Sequence, residues 1–310
     1  MDRHSVGWRG YIPALTTPFA ANGALDRAGW VELVEWAVSE GVHGIVVAGS
    51  SGEWFSLEPQ ERLDLFQLAR RQVNGRVPVI GCCNALRPTE SLRYALAASQ
   101  MGLDGIILAP PPYAVPNEDE VIAFYRWLLD QVPLPACLYN WPRGTNVDLS
   151  PELLGQLAEI ETVVAVKNST SSLASFVEAF FALKEQIRIF GFGSDDLSIT
   201  LITSHGGDGT IGAGAVLGRE HPAFWEALWR RKFEEARKWG ARDKAFFDFS
   251  MKADFSPAFA SVPAILKAAL NLRGLPGGYP RPPYLPLTAE QAERVRRILQ
   301  MLGLTATNPA

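Results

Sequence analysis

The feature that most constrains the fold is a regular alternation of short apolar, β-branched runs with longer amphipathic segments. Runs typical of strands span residues 11–15, 44–48, 77–81, 105–108, 136–139, 162–167, 187–190 and 209–212. Helical patterns span residues 30–39, 59–73, 89–101, 118–131, 151–160, 173–184 and 222–231, with Ser56 as the expected N-cap of the second helix. This period, roughly the 30 residues of a βα unit, predicts an α/β protein with a (β/α)8 TIM barrel over residues 8–233.

The remaining residues, 234–310, are expected to form a helical extension that packs on the barrel. Their pattern indicates three more helices up to residue 302, separated by Gly/Pro-rich loops such as residues 274–280. The main competing fold is an open, doubly wound sheet, which usually carries a Gly-rich phosphate loop after its first strand. The first turn here is Thr16-Thr17-Pro18-Phe19, which does not fit that pattern.

Composition excludes several classes of function. The chain has 310 residues and a net charge of −4, so nothing points to nucleic acid or an anionic membrane. No apolar stretch approaches the ~20 residues that span a bilayer, and no signal-type region follows Met1, so a cytoplasmic protein is expected. The three cysteines and four histidines lack the spacing of metal ligands, which predicts no metal and no cofactor.

Lys167 is the leading candidate for chemistry. It ends the buried run of residues 162–167 and is followed by a polar loop, so it lies where α/β barrels place their active sites. Burial of an ammonium group is costly and usually lowers its pKa, and a neutral lysine amine attacks ketones. A lysine that simply reaches solvent at the end of a strand is the alternative.

Three other segments are predicted at the same mouth of the barrel. The loop after strand two, Gly49-Ser50-Ser51-Gly52-Glu53, offers backbone N–H groups to an anion and hydroxyls for proton transfer, although such loops are often only turns. Strand five ends at Tyr139, whose inward face Cys137 should share. Strand four is followed by three prolines and Tyr113, in a loop that is either a rigid turn or a subunit contact.

Together these residues fit imine chemistry on a small 2-oxo acid. Lys167 would attack the ketone, and the resulting protonated Schiff base would act as an electron sink for loss of a proton or cleavage of a C–C bond. Tyr139 would pass protons through Ser50 to Tyr113. Metal-assisted aldol chemistry is disfavoured, because His43 precedes strand two at the wrong end of the barrel and the other histidines show no ligand spacing.

The sequence resembles the dihydrodipicolinate synthase / N-acetylneuraminate lyase family. The resemblance rests on residues 49–53, 139–142 and 164–167 in combination and on the spacing between Tyr139 and Lys167, and it runs from Gly10 through the C-terminal helices. It implies a class I lyase acting on pyruvate or a related 2-oxo acid. It also implies that Tyr113 reaches into a neighbouring subunit of a homotetramer built as a dimer of dimers.

The resemblance assigns roles residue by residue. It implies Lys167 as the Schiff-base residue, Tyr139 as acid/base, and Ser50 and Tyr113 as relay residues. The expected substrate-binding residues are Ser50, Ser51, Gly52, Ile211, Arg143 and Trp54.

Departures from the family pattern concern the second substrate. The synthase branch has an arginine at the position of Gly144, where it binds the carboxylate of aspartate semialdehyde, and Arg143 lies one residue early. Asn168 replaces the usual acidic residue, and Trp54-Phe55 resembles the sugar-acid dehydratase branch. The chain is therefore expected to be an aldolase, a hydratase-aldolase or a 2-keto-3-deoxy sugar-acid dehydratase, and the acceptor stays open.

Two readings from other classes remain. A relative that binds a 2-oxo acid without turnover would not need both tyrosines. A barrel enzyme that uses a flavin or a sugar phosphate would want a phosphate site after strands seven and eight, where residues 191–193 and 212–214 are weak candidates.

Overall fold

The computed structural model describes residues 1–305, in which eight parallel strands form a closed barrel. The strands pair in chain order, and β1 also pairs with β8, with Gly10 opposite Gly209 and Ala14 opposite Ala213. Their bounds are β1 Gly10–Ala14, β2 Ile45–Val47, β3 Val79–Cys82, β4 Gly105–Leu108, β5 Ala136–Asn140, β6 Val163–Asn168, β7 Arg188–Phe190 and β8 Gly209–Ala213. The predicted (β/α)8 barrel is confirmed.

Nine helices follow the strands within the barrel part of the described residues. They are α1 Arg27–Ser39, α2 Pro59–Val73, α3 Pro88–Gln100, α4 Glu118–Leu129, α5 Pro142–Thr145, α6 Pro151–Ala158, α7 Leu173–Leu183, α8 Asp196–His205 and α9 Glu220–Trp229. The predicted cap at Ser56 is wrong. Helix α2 is capped by Glu58 in a capping box with Glu61, and Ser56 belongs to a single 3-10 turn at residues 54–56.

Helix α8 was not predicted from the sequence. Its Ile, Thr and Ser residues lack a clear helical period, but its two ends carry ordinary signals. Asp195 accepts a hydrogen bond from the Ser198 N–H at 2.8 Å as N-cap, and Gly206 ends the helix in the left-handed region.

Alternation along each strand divides the apolar residues into two layers. The inward set fills the barrel and includes Ile12, Val46, Cys137, Tyr139 and Ile211. The outward set packs under the helices and forms the larger core of the protein. Cys137 and Tyr139 share the inward face, as predicted from their spacing of two residues.

Three helices follow the barrel: α10 Phe233–Ser250, α11 Val262–Leu272 and α12 Ala289–Met301. They form a third apolar cluster, in which Ile265 and Leu299 pack with Leu33 of α1 and with Val216 and Leu217 after β8. The extension therefore contacts both the first and the last βα units of the barrel. No helix within residues 1–305 is both long enough and apolar enough to cross a membrane.

Candidate active site at the carboxyl end of the barrel

Lys167 lies at the carboxyl end of β6 and points toward the barrel interior. It is in register with Tyr139 of β5 and with Phe190 of β7, which both belong to the inward layer. The Lys167 Nζ atom lies 4.4 Å from the centroid of the Tyr139 ring. Lys167 as a whole residue is half-buried.

The surroundings of Lys167 favour its neutral form. Burial lowers the pKa of the Lys167 ammonium from 10.5 to about 8. No carboxylate among residues 1–305 contributes to this pKa, and the neighbouring Cys137 and Cys82 act in the opposite direction to burial. Burial therefore increases the neutral fraction of this amine near neutral pH, and its role as a nucleophile stays a prediction.

Tyr139 is almost fully buried beside the amine. Burial raises the pKa of its phenol well above 10, and a hydrogen bond with the Ser50 side chain offsets part of this effect. Trp141 stacks on the other side, with ring centroids 5.9 Å apart at an angle of 25°. Lys167, Tyr139 and Ser50 are therefore brought together, and the phenol keeps its proton until a partner takes it.

The loop after β2 contains backbone N–H groups that the described residues leave without an acceptor. The Gly52 and Glu53 N–H groups donate to carbonyls within the loop, at 3.0 and 3.2 Å, whereas those of Ser50 and Ser51 find no acceptor in the described part of the chain. Gly52 is required, since a Cβ there would lie 2.8 Å from the Leu15 carbonyl oxygen. These two N–H groups and the serine hydroxyls can bind a carboxylate.

A buried ion pair connects this loop to the C-terminal extension. The Glu53 carboxylate pairs with the ammonium of Lys267 on α11, and both side chains are 1% exposed. Glu53 has a positive φ of 54°, so the loop turns sharply at this residue. Lys267 also donates to the Tyr279 carbonyl at 2.8 Å. This contact was not predicted, because Glu53 and Lys267 are far apart in the chain.

Arg281 extends the same network along the outside of the loop. Its guanidinium binds both carboxylate oxygens of Glu61 at 2.6 Å and donates to the Ser56 carbonyl at 2.7 Å. It also lies 4.3 Å from the centroid of the Phe19 ring. The C-terminal extension thus fixes the loop at two points.

Asn140 and Asn168 join the ends of β5 and β6. The Asn140 amide donates to Asn168 at 3.0 Å and to Asp148 at 2.9 Å, and its oxygen accepts from the Leu149 N–H at 3.0 Å. Asn168, where the family usually has an acidic residue, therefore acts as an acceptor that keeps Tyr139 and Lys167 side by side.

The other predicted binding residues lie at different depths. Ile211 is 4% exposed inside the barrel, in the same layer as Tyr139. Trp54 lies on the 3-10 turn after the Ser50–Ser51 loop, and its indole packs against Arg62 and Phe55. Arg143 lies on α5, where its guanidinium faces Asp254 of the α10–α11 loop at 3.8 Å.

Tyr113 is not part of this cluster within the single chain. Its side chain is 90% exposed, and its φ of 85° is unusual for a residue with a Cβ. The prediction that it enters a neighbouring active site stays a prediction.

No group of three or more potential ligands (His, Cys, Asp or Glu) is placed to hold a metal ion in residues 1–305. His43 lies before β2, where its Nδ1 accepts from the Tyr11 N–H at 3.1 Å. It is therefore at the amino end of the barrel, opposite Lys167.

A half-buried lysine of lowered pKa at the end of a barrel strand, beside a tyrosine and an N–H-rich loop, defines a candidate site for a class I aldolase. Residues 8–302 match the Dihydrodipicolinate synthetase family. An uncharacterized DapA-like lyase of Rhizobium meliloti is 30% identical over 302 residues, which cover 97% of this chain and 98% of that protein. The 4-hydroxy-tetrahydrodipicolinate synthase of Geotalea uraniireducens is 31% identical over 298 residues, which cover 96% and 99% of the two chains.

A solved structure extends the likeness to the fold. The E. coli K12 prophage protein YagE, described as a member of the dihydrodipicolinic acid synthase family in complex with pyruvate, is 26% identical. It superposes with a TM-score of 0.85 and covers 96% of this chain and 100% of its own. The chain belongs to the Dihydrodipicolinate synthetase family, and it is a lyase of the class I aldolase type.

Proposed function

We propose that this lyase forms a Schiff base between Lys167 and pyruvate or a related 2-oxo acid. The single observation that carries the proposal is the Lys167 amine, which is half-buried without a carboxylate partner in the described chain and has its pKa lowered to about 8. The neutral amine adds to the ketone carbon, and loss of one water molecule leaves a protonated imine. Loss of a proton from the adjacent methyl group then gives an enamine that attacks an electrophile.

The neighbouring groups have roles that follow from their positions. The Ser50 and Ser51 N–H groups and the Gly52 turn bind the carboxylate of the oxo acid, while Ile211 supports its apolar side. Tyr139 donates and accepts the protons of carbinolamine formation and breakdown, with the Ser50 hydroxyl as the next member of the relay. Trp54, on the 3-10 turn after the Ser50–Ser51 loop, contacts the second substrate, whereas the guanidinium of Arg143 is paired with Asp254.

The test is reductive trapping with pyruvate and borohydride. Wild type should gain the mass of one reduced adduct, and peptide mapping should place it on Lys167. Lys167→Ala should gain none. An adduct on another lysine would refute the assignment.

We propose further that condensation with aspartate semialdehyde is not the main activity. Gly144 removes a charge-assisted contact worth about 1.5–3 kcal/mol, which corresponds to about ten- to hundredfold in catalytic efficiency. Other aldol acceptors, hydration-coupled aldol cleavage and sugar-acid dehydration stay open as reactions of the same site. Efficient formation of the dihydrodipicolinate precursor would contradict this proposal and would assign the missing role to Arg143.

We propose a homotetramer in which Tyr113 completes the relay of a neighbouring subunit. Its support is an exposed phenol in the loop after β4, directly after three prolines. Inactive Tyr113→Phe and inactive Lys167→Ala protomers should regain activity when they are mixed and reassembled, because one site then has both wild-type residues. No recovery despite confirmed subunit exchange would reject the shared site.

A further inference from the structure

Gly144 has no room for a side chain. A Cβ atom at this position would lie 2.1 Å from both Cδ1 and Nε1 of the Trp141 indole. Trp141 is the residue before the first turn of α5, with a φ of −136° and a ψ of 68°. The indole thus occupies the space where any larger residue at 144 would begin.

Trp141 is the middle ring of an aromatic wall that starts at the reacting amine. Its indole stacks on Tyr139, whose ring centroid lies 4.4 Å from Lys167 Nζ. On its outer side it meets Phe255 of the α10–α11 loop edge-on, with centroids 5.8 Å apart at 65°. Phe255 is in turn packed edge-on against Phe247 of α10, at 6.0 Å. The wall leads from the imine position to the rim.

The basic residue on the helix beside this wall is paired with a carboxylate. Arg143 is the basic residue of α5, and its guanidinium faces the Asp254 carboxylate at 3.8 Å. The pair joins α5 to the loop that carries Phe255. A substrate approaching Lys167 along the wall therefore meets aromatic faces rather than a free positive charge.

We propose that Trp141 and Gly144 determine the acceptor class, and that the acceptor is an aldehyde with an apolar, preferably aromatic, substituent and no second carboxylate. The inference rests on the Schiff-base function proposed above. The enamine carbon on Lys167 forms a C–C bond with the aldehyde carbon, and the aldehyde oxygen takes a proton to become a hydroxyl. Water then hydrolyses the imine, which frees the Lys167 amine and a 4-hydroxy-2-oxo acid. Offset or edge-on packing of the aryl group against Trp141 favours this orientation.

The experiment compares two acceptors with pyruvate on the full chain. Benzaldehyde and succinic semialdehyde are supplied separately, and product formation is measured by chromatography and mass spectrometry. We expect benzaldehyde to be preferred by about tenfold or more in kcat/KM, since a desolvated carboxylate would face the wall without a partner. A preference for succinic semialdehyde, or no condensation with either aldehyde, overturns the inference.

Variants identify the residues responsible. Trp141→Val should lower kcat/KM for benzaldehyde about tenfold. The double variant Trp141→Val, Gly144→Arg should shift the preference toward succinic semialdehyde. Trp127→Val is the matched control, since this tryptophan is 42% exposed on α4 and should leave the ratio of the two acceptors unchanged. An unchanged ratio in Trp141→Val overturns the inference even if the double variant fails to fold.

Borohydride trapping with pyruvate alone distinguishes failure of the Schiff-base function from failure of the acceptor assignment. If wild type is not trapped on Lys167, the proposed function fails. If it is trapped but prefers the carboxylate-bearing aldehyde, only the role of Trp141 and Gly144 fails.

Discussion

The rate of imine formation should follow the titration of Lys167. A pKa of about 8 makes about a tenth of this amine neutral at pH 7, whereas an unperturbed lysine of pKa 10.5 would have about 300-fold less. We therefore expect the rate of trapping with pyruvate to rise with pH and to reach half of its maximum near pH 8.

The assay is a time course of intact mass after quenching with borohydride, at constant ionic strength between pH 6 and pH 10.5. Exposed lysines such as Lys232, mapped in the same digest, serve as internal controls for reaction outside the site. A midpoint of 10 or above for trapping at Lys167 would refute the conclusion that burial lowers the pKa of this amine.

The same titration predicts a pH-dependent cost in stability. Below pH 8 the folded and unfolded states both hold the proton, and the folded state bears the full cost of the buried charge. Between pH 8 and 10.5 the folded state has lost the proton that the unfolded state still binds, so stability should rise with pH in this window. The difference corresponds to about 3 kcal/mol, at about 1.4 kcal/mol per pH unit.

Lys167→Met should remove this cost. The variant should be more stable than wild type by up to about 3 kcal/mol at pH 7, with the difference shrinking above pH 8. Denaturant unfolding at pH 7 and pH 10.5 measures it. Equal free energies of unfolding of the two proteins at pH 7 would show that burial of the protonated Lys167 does not destabilise the folded state.

Three further outcomes are expected. Lys267→Met should lower the free energy of unfolding, measured with denaturant, by about 3–5 kcal/mol because it leaves the Glu53 charge buried and unpaired. The double variant with Glu53→Gln should recover most of this free energy. Tyr139→Phe should still be trapped by borohydride, but more slowly than wild type, because Tyr139 handles the protons of carbinolamine formation and breakdown. It should also lose about 10²- to 10⁴-fold in turnover, measured by product formation, and unchanged turnover would exclude Tyr139 as acid/base. Asp208→Ala should lower the denaturation midpoint, because it leaves the Arg188 guanidinium, now 2.9 Å from the carboxylate, without its partner.

Local patterns were sufficient to predict the barrel and the centre of the site. All eight strands fall within a few residues of the predicted runs, because buried parallel strands are apolar on both faces. Lys167 stands out since it interrupts such a run at its carboxyl end. The inward position of Tyr139 could also be predicted, because side chains two residues apart on β5 point to the same face of the strand, and Cys137 was expected to point into the barrel.

What the sequence did not predict depends on contacts between distant segments or on weak local signals. The pairing of Glu53 with Lys267 joins a barrel loop to α11, and nothing near either residue marks it. Trp141 and Gly144 are close in sequence, but the conflict between the indole and a Cβ appears only once α5 folds and brings the two residues together. Helix α8 was missed because β-branched residues hid its period, although Asp195 and Gly206 marked its ends.

The buried pair of Glu53 and Lys267 also governs when the protein can become active during its synthesis. The carboxylate loop emerges early from the ribosome, but the lysine that neutralises Glu53 belongs to α11, and β1 finds its second neighbour only when β8 has been made. Neither the closed sheet nor the anchored loop can form on the nascent chain before most of it has been translated. We therefore expect the barrel to complete its folding late, because β1 pairs with β8 and Glu53 pairs with Lys267 only after those segments have been synthesised.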